Sequence, residues 1–157
     1  MHPRRIVRRV HLTWHERGFD ELTTRQLYAI MALRSEVFVV EQRCPYQDAD
    51  GIDPYSRHLW AERDDGEIVA YLRIVPAGVK FAELSLGRVI TSGKVRGTGL
   101  GRELMRRGIA AVGDETAIRI GAQAYLERFY AGLGFVRVSE VYDEDGIPHI
   151  DMLRGRP

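Results

Sequence analysis

The residues with the clearest chemical pattern form a glycine-rich segment in the second half of the chain. They run Arg96-Gly97-Thr98-Gly99-Leu100-Gly101-Arg102, after a strand-like apolar run and at the start of an amphipathic helical pattern. Alternate glycines carry no Cβ, so that successive backbone N–H groups can converge on an anion at the positive end of a helix. The spacing therefore predicts a phosphate-binding turn. A tight turn that binds nothing is the alternative that these residues leave open.

Two common phosphate sites are disfavoured by what this segment lacks. A P-loop requires Lys followed by Ser or Thr after its last glycine, whereas Arg102 and Glu103 follow Gly101 here. A dinucleotide fingerprint requires G-x-G-x-x-G and, about 20 residues later, an acid that holds the ribose. The glycine spacing here is G-x-G-x-G, and residues 117–121 contain no acid. Nucleotide hydrolysis and dinucleotide binding are therefore not expected.

The elements that must position this turn are predicted from periodicity and turn residues. Thr23 and Gln26 have capping-box spacing, and apolar residues follow at helical intervals, which predicts a helix over 24–38. Pro, Gly and Asp residues at close intervals predict a long loop over 41–54, and Asp64-Asp65-Gly66 predicts a hairpin turn. The other predicted elements are strands at 10–14, 58–63, 67–74, 82–92 and 117–121, helices at 98–112 and 124–133, and a last hairpin of 135–142 with 147–153.

The order of these elements predicts a mixed α/β (α+β) architecture around one sheet. A length of 157 residues favours a single domain, which we place at residues 10–157 after a basic segment at residues 1–9.

Composition excludes several classes of protein. No run approaches the roughly 18 consecutive apolar residues of a membrane helix, and no secretory signal is recognisable. A net charge of +1, from 23 basic and 22 acidic residues, gives no general attraction for nucleic acid or for a membrane surface. The single cysteine, Cys44, offers neither an internal disulfide nor metal-ligand spacing. We therefore expect a cytoplasmic protein without a metal, a nucleic-acid partner or a membrane partner.

Two motifs in this order resemble the GNAT superfamily of acyl-CoA-dependent N-acyltransferases. Residues 96–101 match the family's Q/R-x-x-G-x-G/A pyrophosphate loop, and residues 124–135 resemble its helix that ends in F-Y-x-x-x-G-F. Further segments are similar to the ElaA-type branch, so that the resemblance extends over nearly the whole chain from about residue 12. These segments are Phe38-Val-Val-Glu-Gln42, Cys44-Pro-Tyr-Gln-Asp48, Gly87-Arg-Val-Ile90, Gly121-Ala-Gln123 and Glu144-Asp-Gly-Ile-Pro-His149.

The resemblance implies a GNAT-like fold, with a single, mostly antiparallel central sheet, flanking helices and splayed central strands. It implies acetyl-CoA as cosubstrate, whose pantetheine arm lies along Val89, Ile90 and Thr91. Its pyrophosphate is held by the backbone of Val95, Arg96, Gly97, Thr98, Gly99, Leu100, Gly101 and Arg102. Tyr130 falls where many family members place the general acid, and a phenol stays protonated at neutral pH. The other interpretation of Tyr130 is a core tyrosine.

The acceptor amine also needs a base, because an ammonium has no lone pair. Glu41 and His149 are the leading candidates, although each could instead be a structural residue. The acid that many family members carry on the fourth strand is replaced by Arg88 here.

Polar residues on otherwise apolar elements either pair with one another or face a cleft. Four such residues are expected to line an acceptor pocket: Arg34, His58, Arg88 and Gln123. Arginines favour an acceptor with a carboxylate, whereas the acidic residues near 48–50 and 143–145 favour a cationic amine. An acceptor like an amino acid or a peptide would satisfy both. Cys44 is interpreted as structural, because a covalent mechanism would require a paired base.

These observations predict direct transfer of an acetyl group from acetyl-CoA to a primary amine of a small-molecule or peptide acceptor. Two alternatives stay open. One is a non-catalytic CoA-binding sensor or interaction module on the same fold. The other is an enzyme like the acyl-homoserine-lactone synthases, in which an Arg and a Val-Phe pair also follow the first helix; residues 34–38 are weakly similar to that pattern. A homodimer is also left open.

Overall fold

The computed structural model describes residues 11–155. The basic segment predicted at residues 1–9 lies outside the described residues. No helix within residues 11–155 is long and apolar enough to cross a membrane.

The first half of the described chain forms an antiparallel four-stranded sheet. Its strands follow in chain order and consist of β1 (Leu12–Gly18), β2 (Arg57–Arg63), β3 (Ile68–Val75) and β4 (Ser85–Thr91). The predicted hairpin between β2 and β3 is present, because Gly66 at φ +82° provides the left-handed turn residue. All eight residues of β3 are buried, because most of its apolar side chains belong to two hydrophobic clusters that pack against the sheet.

The second sheet is built around the last strand. β8 (Ile147–Arg154) pairs antiparallel with β5 (Ile118–Gln123), β6 (Val136–Arg137) and β7 (Tyr142–Glu144). The strand predicted over 135–142 is therefore two short strands separated by irregular chain. The hairpin turn before β8 lies at 145–146, where both residues have positive φ.

The helices cover the sheets. α1 (Thr24–Arg34) begins with the predicted capping box, in which Thr23 Oγ1 accepts from the Gln26 amide at 3.1 Å and Gln26 Oε1 accepts from the Thr23 amide at 2.9 Å. The chain then continues as a π-helix over Ser35–Glu41, so the helix predicted to end at 38 extends further with a wider turn. α2 (Leu100–Val112) buries Leu104 and Met105 in the main core.

Glycine at one position of α2 allows close packing on the first sheet. A Cβ on Gly108 would lie 2.9 Å from a methyl group of Leu72. α3 (Glu127–Ala131) is short and follows a 3-10 turn at Ala124–Leu126, so the helix predicted over 124–133 is regular only in its middle.

The two sheets touch at one edge and then separate. Leu84 and Ile118 form a parallel bridge, and the Arg119 amide donates to the Leu84 carbonyl at 2.9 Å. Beyond that bridge, β4 and β5 diverge around a cleft. This is the mixed α/β fold with splayed central strands that the sequence predicts.

Candidate active site

The cleft between β4 and β5 has a volume of about 940 Å³. Its floor and walls come from both strands, the end of the π-helix, the loop after residue 41 and the β7–β8 hairpin. Elements from both sheets therefore contribute side chains to one cavity.

A β-bulge shapes the β4 wall. The pairing of β3 with β4 passes from Tyr71–Ile90 to Arg73–Gly87, so that Arg88 and Val89 stand opposite Leu72 alone. Arg88 has φ +50°, a left-handed conformation that costs energy for a residue with a Cβ. A bulge of this kind redirects the strand and its side chains. Val89, Ile90 and Thr91 line the cleft beyond it.

The glycine-rich turn lies at one end of this cleft. Gly97 and Gly99 have φ values of +80° and +81°, and a Cβ built on either would meet nothing within 4 Å. Leu100, Gly101 and Arg102 begin α2, where amides have no carbonyl one turn earlier. Among residues 11–155, no backbone carbonyl is recorded as accepting from the amides of residues 97–102. The turn thus presents free N–H donors at the positive end of a helix, which is the arrangement that binds a phosphate.

Most of the turn lies outside the cavity wall. Arg96 lines the cavity, whereas Val95 is buried beneath the turn and Thr98 Oγ1 donates to its carbonyl at 2.6 Å. The Arg102 guanidinium lies beside Gly132, at the end of α3.

Tyr130 lines the cleft from α3 and is 7% exposed. Its ring packs edge-on against Phe129 and Phe135, with centroids 5.0 and 5.9 Å away. Burial raises the pKa of Tyr130 to about 12, and the nearby phenol of Tyr125 adds to this shift. The hydroxyl therefore keeps its proton throughout the physiological range and can act as a donor.

Glu41 and Arg96 form an ion pair across the phosphate-turn end of the cleft. Arg96 donates from one nitrogen to Glu41 Oε2 at 2.5 Å and to the Thr91 carbonyl at 3.2 Å. The pair links the end of the π-helix to the turn.

His149 lines the cleft from β8, where it pairs with Gln123 at the end of β5. Its Nδ1 lies 2.7 Å from the Ile147 carbonyl, its Nε2 lies 3.3 Å from Glu144 Oε2, and its ring stacks on Tyr142. A carbonyl can only accept, so Nδ1 carries a hydrogen. Nε2 is then the ring nitrogen with the lone pair.

Two of the four predicted acceptor-pocket residues line the cleft, and two do not. Gln123 lines it at the end of β5, as does Arg88, which stacks over Phe38 and Tyr46. Arg34 and His58 are 0% and 1% exposed and do not contribute to its wall. The prediction was wrong for these two, because both find partners inside the protein.

The partners of Arg34 are carboxylates of the long loop. It donates to Asp48 at 2.8 Å and to Asp53 at 2.6 Å. Arg73, which is 1% exposed, binds the same Asp53 at 3.0 Å and Asp50 at 2.6 Å. Burial alone would raise the pKa of Asp53, but its hydrogen bonds and its attraction to the two arginines lower it.

His58 extends this buried network. Its Nε2 faces the Asp53 carbonyl at 3.1 Å and its Nδ1 lies 2.6 Å from the Tyr71 hydroxyl. Burial lowers the pKa of His58, so its neutral form is favoured: Nε2–H donates to the carbonyl, and Nδ1 accepts from tyrosine.

Arg88 connects the network to the cleft. Its Nε lies 2.8 Å from Asp48 Oδ1, and one terminal nitrogen donates to Asp50 at 3.2 Å. The loop after residue 41 is thereby attached to β3 and β4 by ionic contacts.

Sequence reasoning missed several polar residues of the cleft. They are Gln42, Tyr46, Gln47 and Lys80, whereas Asp50, Glu144 and Asp145, which the sequence analysis associated with a cationic amine, do line the cleft. Most belong to loops, where periodicity gives no orientation. Lys80 carried a usable signal, because it is one of two lysines in a chain whose other basic side chains are arginines. Cys44 lines the cleft as well, but it is buried, and its Sγ donates to the Asp145 carbonyl at 3.3 Å, consistent with a structural role.

Comparison with known proteins identifies the family. The model of the acetyltransferase (GNAT) domain matches residues 23–154. The chain belongs to the GNAT family. Escherichia coli protein ElaA is 43% identical over 148 residues, which cover 91% of this chain and 96% of that protein. A UPF0039 protein from Synechocystis is 40% identical and covers 92% of this chain and 96% of its own length.

Solved structures of GNAT relatives agree with this placement. An acyl-CoA N-acyltransferase from Pseudomonas aeruginosa is 45% identical and superimposes with a TM-score of 0.87, over 92% of this chain and all of that one. Escherichia coli ElaA is 42% identical, with a TM-score of 0.85 over 92% of this chain and 99% of its own. The ElaA-type branch of the GNAT family, predicted from the sequence, is confirmed.

Membership of the GNAT family defines the reaction class. The protein is an acyl-CoA-dependent N-acyltransferase that acts on an amine acceptor. Residues 11–155 contain no group of three or more His, Cys, Asp or Glu side chains arranged to hold a metal ion.

Proposed function

We propose that the protein transfers an acetyl group directly from acetyl-CoA to a primary amine of a small-molecule or peptide acceptor. The observation that carries this proposal is the cleft between the splayed β4 and β5, with free amides of the glycine-rich turn at one end and Tyr130 in its wall. The cavity is open to two ligands, one along each half.

The cosubstrate occupies the half that contains the turn. The pyrophosphate accepts from the backbone amides of residues 97–102, and the side chains of Arg96 and Arg102 add charge. The Val95 amide, which the resemblance also assigned to the pyrophosphate, already donates to the Ser92 carbonyl at 3.0 Å. The pantetheine arm follows Val89, Ile90 and Thr91, whose strand has no strand partner within residues 11–155 on the cleft side beyond the bridge at Leu84. The unpaired backbone N–H and C=O groups of β4 form hydrogen bonds with the pantetheine arm in place of a neighbouring strand.

The chemistry proceeds by direct attack. The acceptor nitrogen, once neutral, attacks the thioester carbonyl, whose developing negative charge is stabilised by an amide of β4. The carbon–sulfur bond then breaks, and Tyr130 gives its proton to the leaving thiolate. The acceptor nitrogen loses its surplus proton as the amide forms, and this proton restores the Tyr130 hydroxyl. Positioning of two ligands in one cleft accounts for most of the acceleration, since the thioester is already activated.

His149 is the base that we favour for deprotonating the acceptor, with Glu41 as the second candidate. His149 lines the cleft beside Gln123, and the hydrogen bond of its Nδ1 to the Ile147 carbonyl leaves Nε2 as the ring nitrogen with the lone pair that a base requires. Glu41 is bound to Arg96. Arg88 and Gln123 form part of the acceptor wall.

Thiol release with a panel of primary amines tests this proposal. Acetyl-CoA and longer acyl-CoA thioesters are each supplied with the same amines, and the acetylated products are identified by mass spectrometry. We expect thiol release that depends on the amine and is fastest with acetyl-CoA. Faster turnover of a longer thioester would contradict the acetyl assignment. Tight CoA binding without turnover of any amine would instead favour a non-catalytic CoA-binding module.

A cytoplasmic location is part of the proposal. It is supported by the single cysteine, which is buried and forms no internal disulfide.

A further inference from the structure

The cationic side chains in the wall of the cleft differ in whether a carboxylate of the protein already pairs with them. Arg96 is bound by Glu41 and the Thr91 carbonyl. Arg88 is bound by Asp48 and Asp50. A substrate carboxylate could use either guanidinium only in competition with these protein oxygens.

Lys80 is the exception. It lines the cleft from the loop between β3 and β4, and its Nζ lies 5.5 Å from the centre of the Phe81 ring. No carboxylate within residues 11–155 lies at ion-pair distance from this Nζ, whereas the other lysine, Lys94, pairs with Glu67 at 2.8 Å. Lys80 is therefore a cation in the cavity wall without a counter-ion in contact.

Lys80 is exposed to the solvent of the cleft. Its pKa is lowered from its usual value by partial desolvation, while Glu144 and Asp50 act in the opposite direction. An ammonium in a cavity wall without a contact partner is stabilised by an anion that reaches it.

The position of Lys80 relates it to the acceptor half of the cleft. Glu144, the strongest favourable charge on Lys80, also contacts His149 at 3.3 Å. An anion on Lys80 is thus near the side chain that we favour as the base. The phosphate turn has two arginines of its own, Arg96 and Arg102.

We propose that the acceptor is a small amine that also carries an oxyanion, a carboxylate or a phosphate, and that Lys80 binds this oxyanion. The proposal rests on the function proposed above and specifies its substrate class. Lys80 is a specificity-determining residue: it binds a part of the acceptor that does not react. Such contacts contribute mainly to substrate binding and therefore to KM.

Matched pairs of acceptors test the proposal. Alanine is compared with alaninamide, β-alanine with its amide, and phosphoethanolamine with ethanolamine, so that each pair differs in the anionic group. The variants are Lys80→Met, which removes the charge and keeps the length, and Lys80→Arg, which keeps the charge. Lys94→Met is the matched control, because it removes the other lysine, whose partner is Glu67 outside the cleft.

We expect the wild type to prefer the anionic member of at least one pair. In Lys80→Met that preference falls by about tenfold or more, mainly through KM, while the rate with the neutral member changes little. Lys80→Arg retains most of the preference, and Lys94→Met retains all of it. The pair that responds distinguishes a carboxylate from a phosphate. Thermal unfolding of each variant establishes that the changes are not due to misfolding.

The two proposals fail in different ways. If the wild type acetylates none of the amines, the proposed function fails. If it acetylates amines but prefers the neutral members, or if Lys80→Met keeps the full preference for the anion, the assignment of Lys80 is overturned while the acetyltransferase survives.

Discussion

The role of the Tyr130 hydroxyl in proton donation can be tested separately from the role of its ring in packing. Its ring contributes to the core through Phe129 and Phe135, while the hydroxyl has no hydrogen-bond partner recorded among residues 11–155. Replacing tyrosine by phenylalanine therefore removes the proton donor and leaves the packing in place.

For Tyr130→Phe we expect kcat to fall by roughly 100-fold, the usual lower range for loss of a general acid, with little change in the affinity for acetyl-CoA. Thiol release at saturating substrates measures the first quantity and calorimetry the second. Tyr28→Phe, at an exposed position of α1, is the control. An unchanged kcat in Tyr130→Phe would mean that Tyr130 is a core residue and not the general acid.

The pKa of Tyr130 also predicts how kcat depends on pH. Because burial raises the pKa of Tyr130 to about 12, its proton is still present well above neutral pH. We expect no alkaline loss of kcat attributable to this group below about pH 10. A wild-type alkaline limb near pH 8 that disappears in Tyr130→Phe would contradict this assignment.

Single residues also mark the limit of what the sequence could predict. Arg34 and His58 are polar residues on apolar elements, a pattern that indicates either a buried pair or a cleft. Arg34 finds its carboxylates 14 and 19 positions along the chain, at Asp48 and Asp53, within a loop that has no periodicity. Which of the two possibilities holds depends on where that loop folds, and one sequence does not specify it.

Among the elements, the loop after the π-helix is held by the most ionic contacts. Asp53 is 7% exposed and receives Arg34 and Arg73 together. Removing one partner of a buried ion pair is expensive, because the remaining charges keep their desolvation cost.

Asp53→Asn is therefore expected to lower the free energy of unfolding by about 3 kcal/mol at pH 7. The lowered pKa of Asp53 means that its contribution is complete above its unfolded value of about 4 and is lost as the pH falls through the folded value. The difference between wild type and variant, measured by urea unfolding, should thus shrink in acid.

Asp114→Asn is the matched control for this change. Asp114 pairs with Arg154 at 3.3 Å, but its side chain is 81% exposed, so its loss should cost less than about 1 kcal/mol. Equal effects of the two substitutions would mean that the buried network does not stabilise the loop.

The prediction of elements succeeded where local rules apply. The capping box at Thr23, the turn at Gly66 and the glycine-rich start of α2 are all fixed by neighbouring residues. The π-helix was missed because apolar spacing of three and four residues fits a wide turn as well as an α-helical one. The β4 bulge at Arg88 was missed because it is a property of strand pairing.

At the level of the whole molecule, one bridge between two sheets creates the active site. Leu84 and Ile118 join β4 to β5, and their divergence opens the cleft that accepts both ligands. The resemblance to the GNAT family predicted the splayed central strands, and it described them as part of a single sheet, as the order of elements did; in the structure the strands form two sheets that meet at this bridge. Both sheets, α2 and α3 contribute to the largest core cluster, so the position of the turn relative to Tyr130 is set by the packing of α2 and α3 on that core.

The central claim is that acyl-CoA binds through the glycine-rich turn, and calorimetric titration of acetyl-CoA tests it most directly. The variant is Gly99→Glu, which places a side chain and a negative charge in the open space above the free amides. The control is Gly66→Glu in the β2–β3 turn. Both glycines have nearly the same left-handed φ, +81° and +82°, and both have open space around a Cβ, so the backbone strain is matched.

We predict stoichiometric binding to the wild type and to Gly66→Glu, and loss of binding in Gly99→Glu. Equal binding by all three proteins would place the pyrophosphate elsewhere, and absence of binding to the wild type would contradict the account as a whole.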